Sequence, residues 1–303
     1  MKPSIAAALR ADGLDPAEVE RIIRTALDED LGPDSLDVTT AATIPAGQFD
    51  TAELVARGDG VVAGLVVAAA VFDLVDEIWS GRDGDGAGRG VDVTFRVRDG
   101  ARVARGEVLA TLTGPTRTLL TAERTALNLL CRMSGVATHT RAWADALSGT
   151  KTQVLDTRKT TPGLRVLEKY AVRVGGGTNK RMGLYDVAMI KDNHKLAAGG
   201  ITAAYRRVRE AFPQVAVQVE VTTVAEALEA VEAGADFLLC DNMPPALLRE
   251  VVAAVGDRAE LEATGGLTLA RAVEYAETGV DYVSVGALTH SSPILDIALD
   301  LVR

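Results

Sequence analysis

The chain has 303 residues, 48% of them hydrophobic and only 4% aromatic, and its formal net charge is -10. This composition supports one large or two moderate cores, and it argues against a nucleic-acid-binding surface, which would be basic or rich in aromatic platforms. No apolar run is long enough to span a membrane and the amino terminus does not resemble a signal peptide, so we expect a cytoplasmic protein without a membrane partner. Cys131 and Cys240 lie in apolar runs, which is typical of a reducing compartment.

The first 130 residues predict a small domain that mixes helices and strands. Apolar residues recur at helical spacing over residues 5–31, and short β-rich segments separated by Asp-Gly turns follow over residues 49–112, with one helix at 66–79. The glycine-rich segment 81–90 lacks the GxGxxG spacing of a phosphate loop, so we interpret it as a surface loop. Residues 116–148 predict a long helix, with a break expected near Gly135.

From residue 152 onward the pattern becomes a regular alternation of strands and helices. Apolar strand-like runs occur at 152–156, 187–191, 215–221, 236–240, 259–263 and 281–285. Helical patterns occur at 162–174, 200–211, 224–233, 244–255 and 268–278. This alternation predicts a parallel sheet covered by helices, and six successive units without a dinucleotide fingerprint favour a barrel over an open sheet.

Charged residues follow most of the predicted strands. The residues at these strand ends are Asp156, Thr157, Arg158, Lys159, Lys191, Glu220, Asp241, Glu262 and Thr264. A single charged strand end can mark the point where the chain emerges into water. Five charged ends at one rim of a barrel instead indicate a functional site, because the reactive residues of such folds lie there.

Two late loops carry small residues where a phosphate could bind. Thr264, Gly265 and Gly266 follow one predicted strand, and Gly286 and Ala287 follow the last one. Glycine lets backbone N–H groups approach a phosphate, and the start of a following helix favours an anion. The loops after the last strands of a barrel are a frequent phosphate site.

The segment from Asp156 to Lys195 is cationic in an acidic protein, with nine basic and four acidic side chains. Such a surplus suits a small polyanion such as a phosphate ester, a diphosphate or a dicarboxylate. A Schiff-base lysine at a strand end is an alternative use of these cations, with Lys191 as the candidate. Arg124 shares a helical face with apolar residues, so it either pairs with a carboxylate or enters an anionic site of a neighbouring subunit.

The order of several motifs resembles that of quinolinate phosphoribosyltransferases, also called nicotinate-nucleotide pyrophosphorylases (carboxylating). The motifs are TAERTALNLLCRMSGVAT, DTRKTTPGLRVLEKYAVRVGGG, IKDNH, VEV, LCDN, ATGGL and VGALTHS, with an early LGPDSLDVTT segment. The resemblance extends from about residue 20 to the end of the chain. It implies an open seven-stranded α/β barrel with an N-terminal α/β sandwich domain. The corresponding expectations are a sandwich domain at 1–130, a barrel at 131–290, and a C-terminal helix at 291–303 that packs on the N-terminal domain.

The resemblance implies an enzyme that joins quinolinate to 5-phosphoribosyl-1-diphosphate and releases diphosphate and CO₂, giving nicotinate mononucleotide. Glu220 and Asp241 would stabilise the cationic transition state, hold the ribose and bind Mg²⁺, and Lys159 would serve the diphosphate or a carboxylate. Arg158, Arg181 and Lys191 would bind the quinolinate carboxylates. A homodimer with shared active sites is also implied, with Arg124 contributed by the partner subunit; dimers could further associate into hexamers.

One position departs from the family pattern, which is typically GGG-x-N-H-R. This chain has Lys180 where histidine is usual, directly before Arg181. The positive charge still suits a substrate carboxylate, but the ring and titration of histidine are lost. Two alternatives therefore remain open: a paralogue that acts on another pyridine or heterocyclic acid, and a non-catalytic relative associated with molybdenum transport.

Overall fold

The computed structural model describes residues 1–83 and 90–302, so residues 84–89 of the predicted loop at 81–90 lie outside the described residues. The chain divides into two compact units. The first comprises Met1–His139, Thr161–Gly175 and the residues from Ser292 onward, and the second comprises Thr140–Thr160 and Gly176–Ser291. No helix in the described part of the chain combines the length and hydropathy needed to cross a membrane.

The first unit combines helices with an antiparallel sheet. Its helices are α1 (Pro3–Ala11), α2 (Pro16–Leu31), α3 (Val38–Thr43), α4 (Leu65–Asp83), most of α5 (Thr116–Ala146) and α6 (Arg165–Val174). Its strands are β1 (Phe49–Ala56), β2 (Gly60–Val61), β3 (Asp92–Phe95), β4 (Arg102–Val103), β5 (Val108–Pro115) and β12 (Ile297–Val302). Four strands form a sheet in the order β12-β1-β5-β3, and β2 pairs with β4.

Local signals explain two differences from the predicted helices. The helical pattern at 5–31 is divided between α1 and α2, because Gly13 has a φ of 76° and the Asp15 carboxylate caps the new helix at Ala17 N. Helix α5 continues through Gly135, where a break was expected. Glycine is needed there because a Cβ would collide with the carbonyl oxygen of Pro293.

The predicted C-terminal helix is wrong. Residues 297–302 form β12, which runs antiparallel to β1 with Ile297 opposite Ala56 and Val302 opposite Thr51. The partner strand lies more than 200 residues earlier in the sequence. Backbone pairing with it decides the conformation of a segment whose apolar pattern also suits a helix.

The predicted domain boundaries also need a correction, because residues 161–175 belong to the first unit and not to the barrel. The Glu168 carboxylate on α6 is fully buried and accepts hydrogen bonds from Arg132 Nε and Nη2 at 3.0 and 2.8 Å. The Tyr170 hydroxyl donates to the Asp99 carboxylate at 2.7 Å. These polar contacts attach α6 to the first unit.

The second unit is a parallel α/β domain. Its strands are β6 (Gln153–Leu155), β7 (Val187–Ile190), β8 (Ala216–Val221), β9 (Phe237–Asp241), β10 (Glu260–Thr264) and β11 (Tyr282–Ser284). Its helices are α7 (Asp192–Ala198), α8 (Ile201–Ala211), α9 (Val224–Glu232), α10 (Pro245–Val255), α11 (Ala272–Ala276) and α12 (Ala287–His290), with short 3-10 turns at Gly256–Arg258 and Leu269–Arg271. All six predicted strands are confirmed.

The sheet order is β6-β11-β10-β9-β8-β7, with parallel pairing throughout. Among the described residues no ladder joins β6 to β7, so the sheet stays open as predicted. The described residues thus form six strands of this sheet where seven were expected, and Thr178 forms an isolated parallel bridge with Leu155 of β6. The parallel arrangement brings the carboxyl ends of all six strands to one edge.

Candidate active site

A cavity of about 370 Å³ lies within the second unit and reaches the carboxyl ends of its strands. This volume is in the range of small-molecule binding sites. Its charged lining includes Arg158, Lys159, Arg181, Lys191, Glu220 and Asp241. The structure therefore brings together the cations and carboxylates that the sequence predicted at separate strand ends.

Strand alternation explains why these particular side chains line the cavity. Residues two apart on one strand point to the same face. Glu262 and Thr264 of β10 and Leu239 and Asp241 of β9 all line the cavity, and Thr264 is paired in register with Asp241. The cavity thus has a rim formed by the last residues of the strands and a deeper level formed two residues earlier.

Arg158 and Arg181 place two guanidinium groups in one partly buried space. Burial, and next the proximity of Arg158, lower the pKa of Arg181, and Asp186 only partly opposes this shift. Arg181 also has a φ of 55°, a left-handed conformation that is costly for a residue other than glycine. Its Nη1 lies 3.0 Å from Met189 Sδ. An anion between the two arginines would relieve their repulsion.

Lys159 and Lys191 add two cations at the rim. The backbone N–H of Lys159 donates to Thr157 Oγ1 at 3.0 Å, and its carbonyl accepts from Thr289 Oγ1 at 2.8 Å. These bonds fix the turn that carries the Lys159 side chain. Lys191 Nζ is 3.9 Å from Glu220 Oε2, a loose ion pair at a half-exposed position. Both ammonium groups are therefore accessible to an anionic ligand.

Glu220 and Asp241 are held at neighbouring strand ends by polar contacts behind them. Lys195 Nζ donates to the carbonyl oxygen of Glu220 at 3.1 Å and to Glu226 Oε1 at 2.9 Å. Asn242, with a φ of 52°, donates from its side chain to Asp241 Oδ2 at 2.9 Å. Both carboxylates line the cavity and carry the oxygen ligands that hard cations prefer.

The two glycine loops adopt conformations that support close approach of a ligand. Gly265 and Gly266 have φ values of 98° and 61°, and a Cβ on Gly265 would collide with Asn242. A Cβ on Gly286 would lie 3.0 Å from Cδ of Lys159. The helices that follow are weaker than expected, because one is a 3-10 turn and the other, which begins at Ala287, has four residues. Backbone N–H groups, more than a helix dipole, would contact a phosphate here.

Glu262 and Gln218 form a polar layer below the rim. Gln218 Nε2 donates to Glu262 Oε2 at 2.7 Å, and both side chains are buried. Burial raises the pKa of Glu262, although hydrogen bonds with Ser284 and Gln218 oppose the shift. Glu262 is one of the strand-end residues predicted from the sequence, and it lies on the same face of β10 as Thr264, two residues later.

Lys180 lines the cavity but its ammonium does not lie among the rim cations. Nζ is 2.8 Å from Glu260 Oε2 and lies 3.6 and 3.8 Å from the ring centroids of Phe237 and Tyr282. These three partners are the first residues of β10, β9 and β11. The Lys180 ammonium is therefore paired within the second unit, at the amino ends of three strands.

The remaining cations of the predicted basic segment lie elsewhere. Arg165, Lys169 and Arg173 are on α6 in the first unit, and Lys195 is paired with Asp192 and Glu226. The cationic segment is therefore not one pocket, because the fold distributes its bases over two units.

Arg124 belongs to the first unit, where it lines a cavity of about 300 Å³ with Glu123 and Asp296. It is exposed and forms no ion pair within the described residues. Both cysteines are buried, and burial raises the pKa of Cys240 to about 12, so neither is an activated thiolate.

Together, the fold and the cavity define a parallel α/β domain whose cavity combines several cations with two carboxylates at the carboxyl ends of the strands. The family description "Quinolinate phosphoribosyl transferase, C-terminal domain" matches residues 136–300, and the description of the N-terminal domain matches residues 37–134. The chain belongs to the quinolinate phosphoribosyl transferase family.

Individual relatives agree over nearly the whole length. A nicotinate-nucleotide pyrophosphorylase (carboxylating) of Mycobacterium leprae is 50% identical over 282 residues, which are 92% of this chain and 95% of that protein. A probable enzyme of the same name from Bacillus subtilis is 42% identical and covers 90% of each chain. The structure of the nicotinate-nucleotide pyrophosphorylase from Francisella tularensis has a TM-score of 0.86 at 34% identity, covering 94% of this chain and 96% of that one.

Proposed function

We propose that this chain transfers phosphoribose from 5-phosphoribosyl-1-diphosphate to quinolinate and decarboxylates the product to nicotinate mononucleotide, a step of NAD biosynthesis. The observation that carries this proposal is the pair of partly buried guanidinium groups, Arg158 and Arg181, in a cavity that also holds Glu220 and Asp241. The cations suit a dicarboxylate, and the carboxylates suit a reaction that develops positive charge on a sugar.

The acceptor would be held by its two carboxylates. Planar guanidinium groups bind carboxylates in a bidentate manner, and Arg158 and Arg181 are close enough to influence each other's charge. Lys191 would add a point charge at the rim. With its carboxylates bound in this way, the acceptor would direct its ring nitrogen toward the ribose, because the donor would occupy the rim and its glycine loops.

The donor would be held by its phosphates and its ribose. The backbone N–H groups of Gly265, Gly266 and Ala287 are suited to phosphate oxygens, and Thr264 adds a hydroxyl group next to them. Gly286 leaves room for the Lys159 side chain, because a Cβ at position 286 would lie 3.0 Å from Cδ of Lys159. The Lys159 ammonium would contact the leaving diphosphate and neutralise its charge.

The chemistry then has two stages. The pyridine nitrogen lone pair forms a bond to the anomeric carbon while the bond to diphosphate breaks, through a state with oxocarbenium character. Glu220 and Asp241 stabilise that positive charge electrostatically. The ribosylated nitrogen is cationic, so it accepts the electron pair when the carbon 2 carboxylate leaves as CO₂, and carbon 2 then takes a proton from solvent. No protein base is required for the loss of CO₂.

Glu220 and Asp241 also fit a magnesium ion that is held mainly by its substrate. The described residues contain no group of three or more His, Cys, Asp or Glu side chains that could hold a metal. Mg²⁺ in phosphate-transfer sites typically takes one or two carboxylates and completes its shell with substrate phosphates and water. When bound, the ion would neutralise charge on the diphosphate.

The assembly that we propose is a cytoplasmic homodimer in which Arg124 of one subunit contributes to the active site of the other. Arg124 is exposed and forms no ion pair within the described residues of its own chain. A guanidinium in that situation is suited to pairing with an anion across a subunit contact. Association of dimers into hexamers is compatible with this proposal.

The test is a comparison of acceptors with the purified protein, phosphoribosyl diphosphate and a titration of Mg²⁺. We expect quinolinate to give nicotinate mononucleotide, and nicotinate and other pyridine acids to be poor acceptors because they lack the second carboxylate for the paired arginines. Preferential turnover of a different heterocyclic acid would identify a paralogue. Binding without turnover of any acceptor would indicate a non-catalytic relative.

A further inference from the structure

The strongest observation outside the proposed ligand set is a four-residue group, which we call the floor cluster: Lys180, Phe237, Glu260 and Tyr282. The Lys180 ammonium lies 2.8 Å from a Glu260 carboxylate oxygen and within 4 Å of the centroids of both rings. The rings are edge to face, with centroids 6.2 Å apart, and the Tyr282 hydroxyl lies 3.4 Å from the other Glu260 oxygen. Each member thus contacts two or more others.

Three members of the floor cluster are the first residues of their strands, and of these Tyr282 is level with Glu262 of the polar layer. Phe237 and Glu260 are the first residues of β9 and β10 and are paired in register, whereas Asp241 and Thr264 are the last residues and are also paired. Four residues of a strand at about 3.3 Å each separate the two levels by about 13 Å. The Lys180 ammonium is therefore paired at the amino ends of β9 and β10, although its own backbone N–H is held near the end of β6 by Asp156.

The backbone before Lys180 is also fixed. The side-chain amide of Asn179 donates to Asp156 Oδ2 at 2.6 Å, and the backbone N–H of Lys180 points to Asp156 Oδ1 at 3.4 Å. Asp156 is buried at the end of β6. The side chain of Lys180 runs from this anchored backbone along the cavity wall to the floor cluster, beneath the polar layer of Gln218 and Glu262.

The ammonium would lose its ion pair and two cation–π contacts if it turned toward an acceptor. Arg181, the next residue, differs in each respect: its pKa is lowered by burial and by Arg158, and its side chain contacts Met189 in the middle of β7. The two consecutive cations therefore differ: the Lys180 charge is neutralised by Glu260, whereas the charged form of Arg181 is disfavoured by burial and by Arg158.

We propose that Lys180 is a specificity-determining residue that closes the bottom of the cavity and limits its depth, and that its charge does not bind the acceptor. This inference rests on the proposed function, since the acceptor nitrogen must face the ribose at the rim. Carbon 4 of the pyridine ring and its neighbours, carbons 3 and 5, then face the floor, with the carbon 3 carboxylate held by the paired arginines. The side chain at position 180 excludes acceptors with a substituent at carbon 4 or 5.

The experiment compares Lys180→Met, Lys180→Ala and Arg181→Met. Lys180→Met keeps most of the length of the side chain and removes its charge, Lys180→Ala removes the length, and Arg181→Met is the matched control for an acceptor ligand. The measurements are kcat and KM for quinolinate and for a quinolinate that carries an alkyl group at carbon 4 or 5. The substrate ratio is kcat/KM for the substituted quinolinate divided by kcat/KM for quinolinate itself. Phe237→Leu opens the floor from another strand and serves if Lys180→Ala does not fold.

We expect Lys180→Met to change KM for quinolinate by less than about threefold, because its charge is already paired with Glu260. Arg181→Met should raise KM about tenfold or more, because a charged hydrogen bond to the acceptor is lost. In Lys180→Ala or Phe237→Leu, the substrate ratio should be at least about tenfold higher than in Lys180→Met. The reason is that the shape of the pocket then no longer excludes the substituted acceptor.

A rise in KM in Lys180→Met as large as in Arg181→Met would overturn the inference, because the ammonium would then bind the acceptor. An unchanged substrate ratio in both floor-opening variants would overturn it as well. These outcomes leave the proposed function intact as long as the parent protein turns over quinolinate. An inactive parent protein would overturn the proposed function, and the inference with it.

Discussion

The two ends of the parallel sheet in the second unit use positive charge in opposite ways. At the carboxyl ends, Lys191 is 3.9 Å from its nearest carboxylate and Arg181 is placed near another guanidinium. At the amino ends, Lys180 is 2.8 Å from Glu260 and packed against two rings. A surplus of basic residues in a sequence therefore does not locate a binding site by itself. The informative property is whether the fold supplies each cation with an internal partner.

The largest change in kcat/KM should follow from a substitution at the carboxyl end of β9, whereas a substitution at the amino end of the same strand should have little effect. Asp241→Asn at the carboxyl end removes the charge proposed to stabilise the oxocarbenium state, so kcat/KM should fall by about 10²–10³-fold. Asp236→Asn, just before the amino end of the same strand, is the matched control, and its exposed side chain should leave kcat/KM essentially unchanged. Steady-state formation of the mononucleotide measures both variants.

Equal losses in the two variants would contradict the comparison, because the effect would then follow from damage to the strand. Thermal unfolding of both proteins distinguishes the cases. We expect similar midpoints, since each substitution preserves the size of the side chain.

A smaller effect, on KM for phosphoribosyl diphosphate, should distinguish substitution of a rim glycine from substitution of a glycine elsewhere in the second unit. Gly265→Ala combines a left-handed φ with a collision against Asn242, so it should cost about 1–3 kcal/mol and raise KM for phosphoribosyl diphosphate. Gly256→Ala is the control, because Gly256 also has a positive φ, 60°, but has no atom within 4 Å of an added Cβ. Urea unfolding and donor kinetics provide the measurements.

If Gly265→Ala leaves KM for the donor unchanged while it lowers stability, the loop does not contact the phosphates. If both alanine variants raise KM to the same extent, the effect belongs to backbone strain in general and not to the rim.

The smallest effect concerns Glu262, which lies between the two ends. Its pKa in the folded protein is raised by burial, so the folded state holds the proton more tightly than the unfolded chain does. This stabilisation is fully present below the unfolded-state pKa, about 4.3 for Glu, and is lost as the pH rises through the folded-state pKa. Glu262→Gln should therefore gain unfolding free energy relative to the parent protein as the pH rises above about 4.3.

Urea unfolding at a series of pH values measures this difference, with Glu232→Gln on the exposed surface of α9 as the control. A difference between the Glu262 variant and the parent that does not change with pH would show that this carboxyl titrates alike in the folded and unfolded states.

The strands of the second unit and the residues at their ends were predictable because the signals are local. Each strand is a short apolar run, and a parallel arrangement brings every carboxyl end to one edge, so Glu220, Asp241 and Thr264 could be assigned from spacing alone. The resemblance to a known family added the expected roles of Arg158 and Arg181. These predictions needed no knowledge of which residues meet across the sheet.

The features that were missed all depend on partners that are distant in sequence. The last segment forms β12 because it pairs with β1, and α6 joins the first unit through Glu168 and Arg132. Lys180 meets Glu260 only in the folded chain, because the two residues are 80 positions apart in the sequence. A local pattern cannot specify such contacts, so the sequence indicated a cation at position 180 but not where its charge would be neutralised.

The central claim is that the rim of the sheet binds a pyridine dicarboxylate and phosphoribosyl diphosphate together. The most direct measurement is the release of labelled CO₂ from quinolinate labelled in its carbon 2 carboxyl group, followed alongside mononucleotide formation. The account predicts one CO₂ for each mononucleotide and no release without phosphoribosyl diphosphate, because the ring accepts electrons only after its nitrogen is ribosylated. Release of CO₂ without the donor, or mononucleotide formation without CO₂, would contradict it.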